Sequence, residues 1–309
     1  MNVLVLGGCG FIGSHVVDEL CRGGHTVTVF DKNEPRYRNE AARYITGYDD
    51  GNWNNAKAIV EAMRGQDTAI HLIGSPANAN GDAIADIITN VSPSVRLFEI
   101  CAQTGVKQVV FASSGGAVYG DVRNMPIYED CTPQPISVNG VSKVTIEAYL
   151  RLACQQGDMG YTILRIANPY GERQSPTCGV GAIAAFAYSL LRNKPVQIYG
   201  SGDVVRDYVY VGDVVRAFRL AVDKQALGTF NVGTGIGTSL TELVNTIAPM
   251  TGITMAAAEY WPPRHYDVPK NILDNRLARM TLDWQPETSL ADGIAKTVEW
   301  IREHYQFSK

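Results

Sequence analysis

Val3-Leu4-Val5-Leu6-Gly7-Gly8-Cys9-Gly10-Phe11-Ile12-Gly13-Ser14 decides the fold of this chain. Its four leading apolar residues form a short continuous run suited to a buried parallel strand. Glycines follow at 7, 10 and 13, three residues apart. A helix is predicted over about 11–22. A second apolar run, Thr26-Val27-Thr28-Val29-Phe30, then ends in Asp31. Strand, glycine turn, helix, strand and acid, in that order, are the parts that hold a dinucleotide. A pyrophosphate needs several N–H donors at close range, and side chains would block the approach. Gly7, Gly10 and Gly13 let the backbone turn sharply and come near. The helix that opens at Phe11 and Ile12 points free amides and a positive dipole end at the phosphates. Asp31 accepts hydrogen bonds from the adenosine ribose and repels a 2′-phosphate, which favours NAD over NADP.

The chain has 309 residues, 45% hydrophobic and 19% charged, enough for one large core or two unequal ones. A net charge of −4 supplies no basic excess for a nucleic-acid surface. No uninterrupted apolar run reaches the length of a membrane span, and the start reads as a strand rather than a signal peptide. Six scattered cysteines form no C-x-x-C pair, and no histidine cluster has ligand spacing, so no metal is expected. Together these features predict a cytoplasmic protein.

Apolar strands predicted at 69–73, 108–112 and 162–166 alternate with helices over about 82–105 and 140–156, which implies an α/β, doubly wound parallel sheet of the Rossmann type. Beyond residue 168, proline and glycine interrupt the rhythm and the apolar runs shorten. The expected division is a dinucleotide-binding domain over 1–167 and a smaller substrate-binding domain over 168–309. Part of 205–235 is expected to pack back on the first.

Separated motifs along nearly the whole chain carry a resemblance. They are Gly7-x-x-Gly10-x-x-Gly13, Asp31, His71-Leu72, Asn90, Ser113-Ser114-Gly115-Gly116-Ala117-Val118-Tyr119-Gly120, Ser142-Lys143, Arg165-x-x-Asn168-Pro169-Tyr170-Gly171, Arg206-Asp207-Tyr208-Val209 and Arg264-x-x-Asp267. The sequence resembles the extended short-chain dehydrogenases, in particular the nucleotide-sugar epimerases and dehydratases, and most nearly the UDP-hexose 4-epimerases. The resemblance implies NAD as cofactor, with Leu72 beside it and Asp49 or Asp50 on the adenine amine. It places Ser113 or Ser114 on the sugar hydroxyl to be oxidised and Lys143 on the nicotinamide ribose. Asn168, Arg206 and Arg264 would hold the diphosphate of a UDP-sugar. Asp267 would orient Arg264 or touch the nucleotide ribose. The resemblance also implies a homodimer formed through the helices around 91–104 and 141–156.

One position departs from the family. Its general base is a tyrosine four residues before the lysine, and here that residue is Asn139. An amide has no usable proton-transfer pKa. Asn139 therefore suggests an inactivated or substrate-trapping form of an epimerase. The alternatives are a protein that only binds NAD or a nucleotide sugar, and a substitute base among Tyr119, Tyr170 and Tyr266. No carboxylate lies between Ser113 and Tyr119, where the family's dehydratases carry an Asp-Glu pair, so C4 epimerisation is favoured over elimination. An NAD-dependent nucleotide-sugar reductase or dehydrogenase is the alternative enzyme. Asn271, four residues past Asp267, is smaller than the tyrosine some relatives carry there. It predicts room for N-acetylated sugars.

Overall fold

The computed structural model describes residues 1–46, 56–74, 81–264 and 267–306. Asp49 and Asp50, as well as Tyr266, lie outside the described residues. The first apolar run forms β1 (Asn2–Leu6), in which Val3, Leu4, Val5 and Leu6 are fully buried. Burial on both sides is what a strand covered by helices on each face requires. β2 (Thr26–Phe30), β3 (Arg43–Ile45), β4 (Thr68–His71), β5 (Gln108–Ser114) and β6 (Gly160–Ile166) extend the sheet. Its order is completed by β10 (Gly228–Val232), giving β3-β2-β1-β4-β5-β6-β10 with every pairing parallel.

Strand order reverses between β1 and β4. In such sheets the crevice at the carboxyl ends of the two strands is where ligands bind. α1 (Phe11–Arg22) buries Val16, Val17 and Leu20 and packs beside α8 (Val211–Asp223) on one face of the sheet. The other face carries α2 (Ala56–Met63), α4 (Ser92–Thr104) and α6 (Val138–Gln155). The helix predicted over 82–105 is interrupted. It runs as α3 (Ala83–Asp86), a π turn (Ile87–Val91) and then α4.

Residues after 168 form a smaller body above the carboxyl edge. β7 (Asn168–Tyr170), β9 (Val205–Tyr210), β11 (Gly237–Ser239) and β13 (Lys270–Asn271) make one small sheet. β8 (Val196–Tyr199) pairs with β12 (Ala258–Trp261) in another. α7 (Ala182–Leu191), α9 (Leu240–Thr251) and α11 (Leu290–His304) share an apolar core with both. The chain does not stay in this body: α8 and β10 lie on the large sheet.

The glycine turn is set by close approach. A Cβ on Gly13 would stand 2.1 Å from the Gly7 carbonyl oxygen, and one on Gly7 (φ 88°) would stand 3.0 Å from the Ile73 backbone nitrogen. A methyl group at position 13 meets backbone that cannot rotate away. Gly13→Ala is expected to cost about 1–3 kcal/mol, the usual range for overpacking. It should also weaken NAD binding, because the turn must open. Denaturant melts with and without NAD check both effects.

Candidate active site

The turn after β1 and the turn after β4 meet at the crevice. The Gly7 amide donates to the Phe30 carbonyl at 2.9 Å, and the Leu72 amide to the Leu6 carbonyl at 2.9 Å. Gly10 caps α1 without a side-chain hydrogen bond, which leaves the amides of Phe11, Ile12 and Gly13 without intrahelical partners. They face where anions bind a helix start. Asp31 stands beside them, 6% exposed. Its carboxylate accepts from the Cys9 amide at 2.9 Å and from the Asn33 amide at 2.9 Å. Each oxygen keeps a lone pair for a ribose hydroxyl. These residues fit the adenosine and pyrophosphate portions of NAD. Burial and the Asp31 charge push the Cys9 thiol up to about 12, so it is an inert neighbour.

α6 supplies the next group. It opens at Val138 with Ser137 as N-cap, whose hydroxyl accepts from the Gly140 amide. Asn139 therefore sits in the first turn, half-buried, with Lys143 one turn further on the same face. A Cβ on Gly140 would come within 2.3 Å of the Ala117 carbonyl, so glycine lets this turn press against α5 (Gly115–Val118). Lys143 Nζ donates to the Ala112 carbonyl at 2.8 Å and lies 4.7 Å from the Phe111 ring centroid. Burial lowers its pKa to about 8, against the opposing pull of Glu147 and Asp86.

The two serines of β5 face opposite ways, as strand alternation demands. Ser113 is 4% exposed and donates to Glu147 Oε1 at 2.6 Å. Ser114, the other serine of the expected pair, is half-buried at the end of β5. Glu147, fully buried, is clamped by Arg165 through two bonds (Nε 3.0 Å, Nη2 2.7 Å) and by Arg151 at 3.0 Å. These hydrogen bonds and charges hold the Glu147 carboxyl below its usual pKa despite its burial. Arg165 continues to the Tyr119 hydroxyl at 3.0 Å, which in turn donates to Asn231 Oδ1 at 2.7 Å.

Neither described substitute for a general base is free to act as one. Tyr119 is 1% exposed, hydrogen-bonded as above, and burial raises its phenol to about 12. Tyr170 is 2% exposed, its hydroxyl directed to the Leu290 carbonyl, and burial raises its phenol too. His71 is buried between the Phe98 and Phe111 rings. Ser94 spends its proton on the Asn90 carbonyl, so His71 Nε2 donates to Ser94. Burial lowers His71 to about 3, and it stays neutral.

The residues expected on the substrate side divide into two groups. Asn168 Nδ2 donates to the Asp207 carbonyl at 3.1 Å, and its amide lies 3.8 Å from a Cβ position on Gly116. Asn271, paired in register with Arg206, donates from Nδ2 to the Gly115 carbonyl at 3.1 Å. Arg206 donates to the Val268 carbonyl at 2.7 Å and to Asp267 Oδ1 at 3.2 Å. Asp267 thus orients Arg206. The Arg264 guanidinium instead lies 3.8 Å from the centroid of the Tyr199 ring, a correction to the expected Asp267–Arg264 pairing. A planar cation prefers that aromatic face, and the turn leaves Asp267 closer to Arg206. The buried Asp207 carboxylate ties Thr234, Gly235 and Leu273 to this sheet.

Glu147, Asp86 and Tyr199 were not foreseen. Glu147 carried a signal, since Asn139, Lys143, Glu147 and Arg151 recur every four residues along α6. Among the described residues no group of metal-ligating side chains gathers, and no helix is long and apolar enough to cross a membrane.

The sequence model of the NAD dependent epimerase/dehydratase family matches residues 3–233. The UDP-glucose 4-epimerase of Mycolicibacterium smegmatis is 38% identical over 99% of this chain and 100% of its own length. The crystal structure of the Thermotoga maritima UDP-glucose 4-epimerase with UDP-glucose superposes with a TM-score of 0.91 at 38% identity, covering 98% of this chain and 99% of that one. The Thermus thermophilus UDP-glucose 4-epimerase in complex with NAD gives 0.91 at 33% identity, covering 99% and 100%. With a seven-stranded parallel sheet, a glycine turn answered by Asp31 and homology along its full length, the chain belongs to the NAD-dependent epimerase/dehydratase family, and NAD is its cofactor.

Proposed function

We propose that this chain inverts C4 of UDP-sugars by transient oxidation to a 4-keto sugar, slowly, because Asn139 stands where the proton-transferring tyrosine belongs. The observation that carries the reading is Lys143 docked on the Ala112 carbonyl at the end of β5, beside Ser114, with no carboxylate among residues 113–119 to drive elimination. Bound NAD supplies a hydride acceptor that is restored in each turnover. The chain supplies the rest. The amides at 11–13 hold the pyrophosphate, Asp31 and Lys143 hold the two riboses, and Leu72 packs beside the cofactor. Ser114 orients the sugar hydroxyl. Asn168, Arg206 and Arg264 hold the diphosphate.

N-acetylated sugars belong to the same reading. Asn271 is small, and its buried Oδ1 has no hydrogen-bond partner within the described residues, which suits an amide N–H. In an Asn139→Tyr variant supplied with NAD, UDP-N-acetylglucosamine and UDP-glucose should turn over within about tenfold of each other, the discrimination a single small group supports. Strict preference for UDP-glucose sinks the N-acetyl part. Net consumption of NADH would support a reductase instead.

The chain is also proposed to pair with a second copy through α6 and the helices beside it. Ile84, Ile88, Val141, Tyr149 and Leu152 are 67%, 63%, 51%, 43% and 47% exposed, an apolar face a lone subunit would leave in water. Leu152→Glu should convert a dimer to a monomer in light scattering, and an unchanged mass would refute this interface.

A further inference from the structure

We propose that Lys143 Nζ itself takes the proton from the reacting sugar hydroxyl in this chain. The inference rests on the epimerase reading above and goes beyond it, since it assigns to the lysine a step that the chain's amide at 139 cannot perform.

An inventory of the neighbourhood supports it. Asn139 offers no basic atom. Ser113 is spent on Glu147, and Tyr119 is spent on Arg165 and Asn231. His71 presents its proton to Ser94 and lies buried between rings. Glu147 is held by Arg165, Arg151 and Ser113. Asp86 accepts from Asn90 at 2.9 Å and from the Ser142 hydroxyl. Among the described residues, Lys143 is the titratable group left at the carboxyl end of β5.

Its surroundings make the ammonium easier to deprotonate than that of an ordinary lysine. Nζ has one hydrogen-bond acceptor, the Ala112 carbonyl, and forms no ion pair among the described residues. The Phe111 ring lies 4.7 Å away, and a Cβ on Gly74 would stand 3.9 Å from Nζ. The charged and titratable groups facing it are Glu147 from its own helix, Asp86 from α3 and neutral His71 from β4. Both acids favour the ammonium, yet each is already engaged. Desolvation prevails and brings Lys143 to about 8, where the ammonium still predominates at pH 7 but about a tenth of the amine is unprotonated.

The step balances. The O4–H bond of the sugar breaks and its proton passes to the Nζ lone pair, directly or across one water. The C4 hydrogen would leave with both bonding electrons as hydride, which bound NAD, the co-reactant, would accept. Reversal on the other face of C4 returns hydride to C4 and the proton to O4, and leaves Nζ a neutral amine again.

Two measurements test this. Competitive labelling of lysine amines, read by mass spectrometry across pH without cofactor, should give Lys143 a midpoint near 8, against about 10.4 for an ordinary lysine. A midpoint above 10 overturns the proposal. With NAD and UDP-glucose, the residual rate of UDP-galactose formation should rise about tenfold per pH unit below 8 and level above it. Lys143→Arg keeps a cation for the ribose but cannot release its proton. It should lower that rate at least about a hundredfold while NAD binding, followed by fluorescence, changes by much less. An unchanged rate in Lys143→Arg also overturns the proposal. If Asn139→Tyr binds NAD yet leaves every UDP-sugar untouched, the epimerase reading falls, and the labelling midpoint decides the lysine's titration on its own.

Discussion

Restoring a phenol by Asn139→Tyr should raise UDP-sugar epimerisation by about 10²–10⁴, the range general-base help supplies. The site can receive the ring. Position 139 lies in the first turn of α6 and is half-buried, not in the core, and the tight contact in that turn belongs to Gly140 against Ala117. Lys143 one turn later would place a positive charge beside the phenol and lower its pKa, turning it into a usable base near neutrality. Thermal stability should change little, since position 139 is only half-buried. A coupled assay for UDP-galactose formation from UDP-glucose, with NAD present, reads the outcome. A rate no higher than that of the parent chain would show that the amide is not what limits it.

Glu147→Ala should be the most destabilising of the site substitutions. It leaves Arg165, 3% exposed, without its two carboxylate bonds and strands the hydroxyl of Ser113. Removing one partner of a buried pair typically costs about 3–5 kcal/mol. Glu147 is fully buried, so solvent screening does not reduce this figure. The effect has a pH signature. Because the folded carboxyl titrates below its ordinary value, its contribution is complete above the unfolded pKa and fades as pH falls through the folded one. The gap between parent and variant in urea melts should therefore be widest near neutral pH and narrow in acid. His71 acts in the same direction: neutral in the fold down to about 3, it costs stability as pH drops from the ordinary histidine range towards that value.

The opening strand, helix and second strand could be read from sequence because their signals are local. Helix α1 begins where the glycine turn ends and stops at a Gly23-Gly24 pair. The position of Asn139 was equally legible, since Ser142-Lys143 fixes the register. What sequence left open depended on partners far along the chain. The choice between Ser113 and Ser114 turns on which face of β5 meets α6. Asp267 lies three residues from Arg264 yet pairs with Arg206, sixty-one residues earlier. Gly228-Thr229-Phe230-Asn231-Val232 looks like any short apolar run, and only the exposed flank of β6 makes it a sheet strand. The four-residue recurrence puts Glu147 on the face of Lys143, but its buried clamp depends on Arg165 and Ser113, which come from other elements.

The return of α8 and β10 to the large sheet binds the fates of the two halves of the polypeptide. A fragment cut at residue 168 would keep the cofactor turn but lose the strand that covers β6 and the helix that covers α1. It would present an open edge and an uncovered apolar flank, both invitations to aggregate. Neither half is an interchangeable module: grafting a different C-terminal region onto this cofactor base must preserve the stretch 211–232 from the parent.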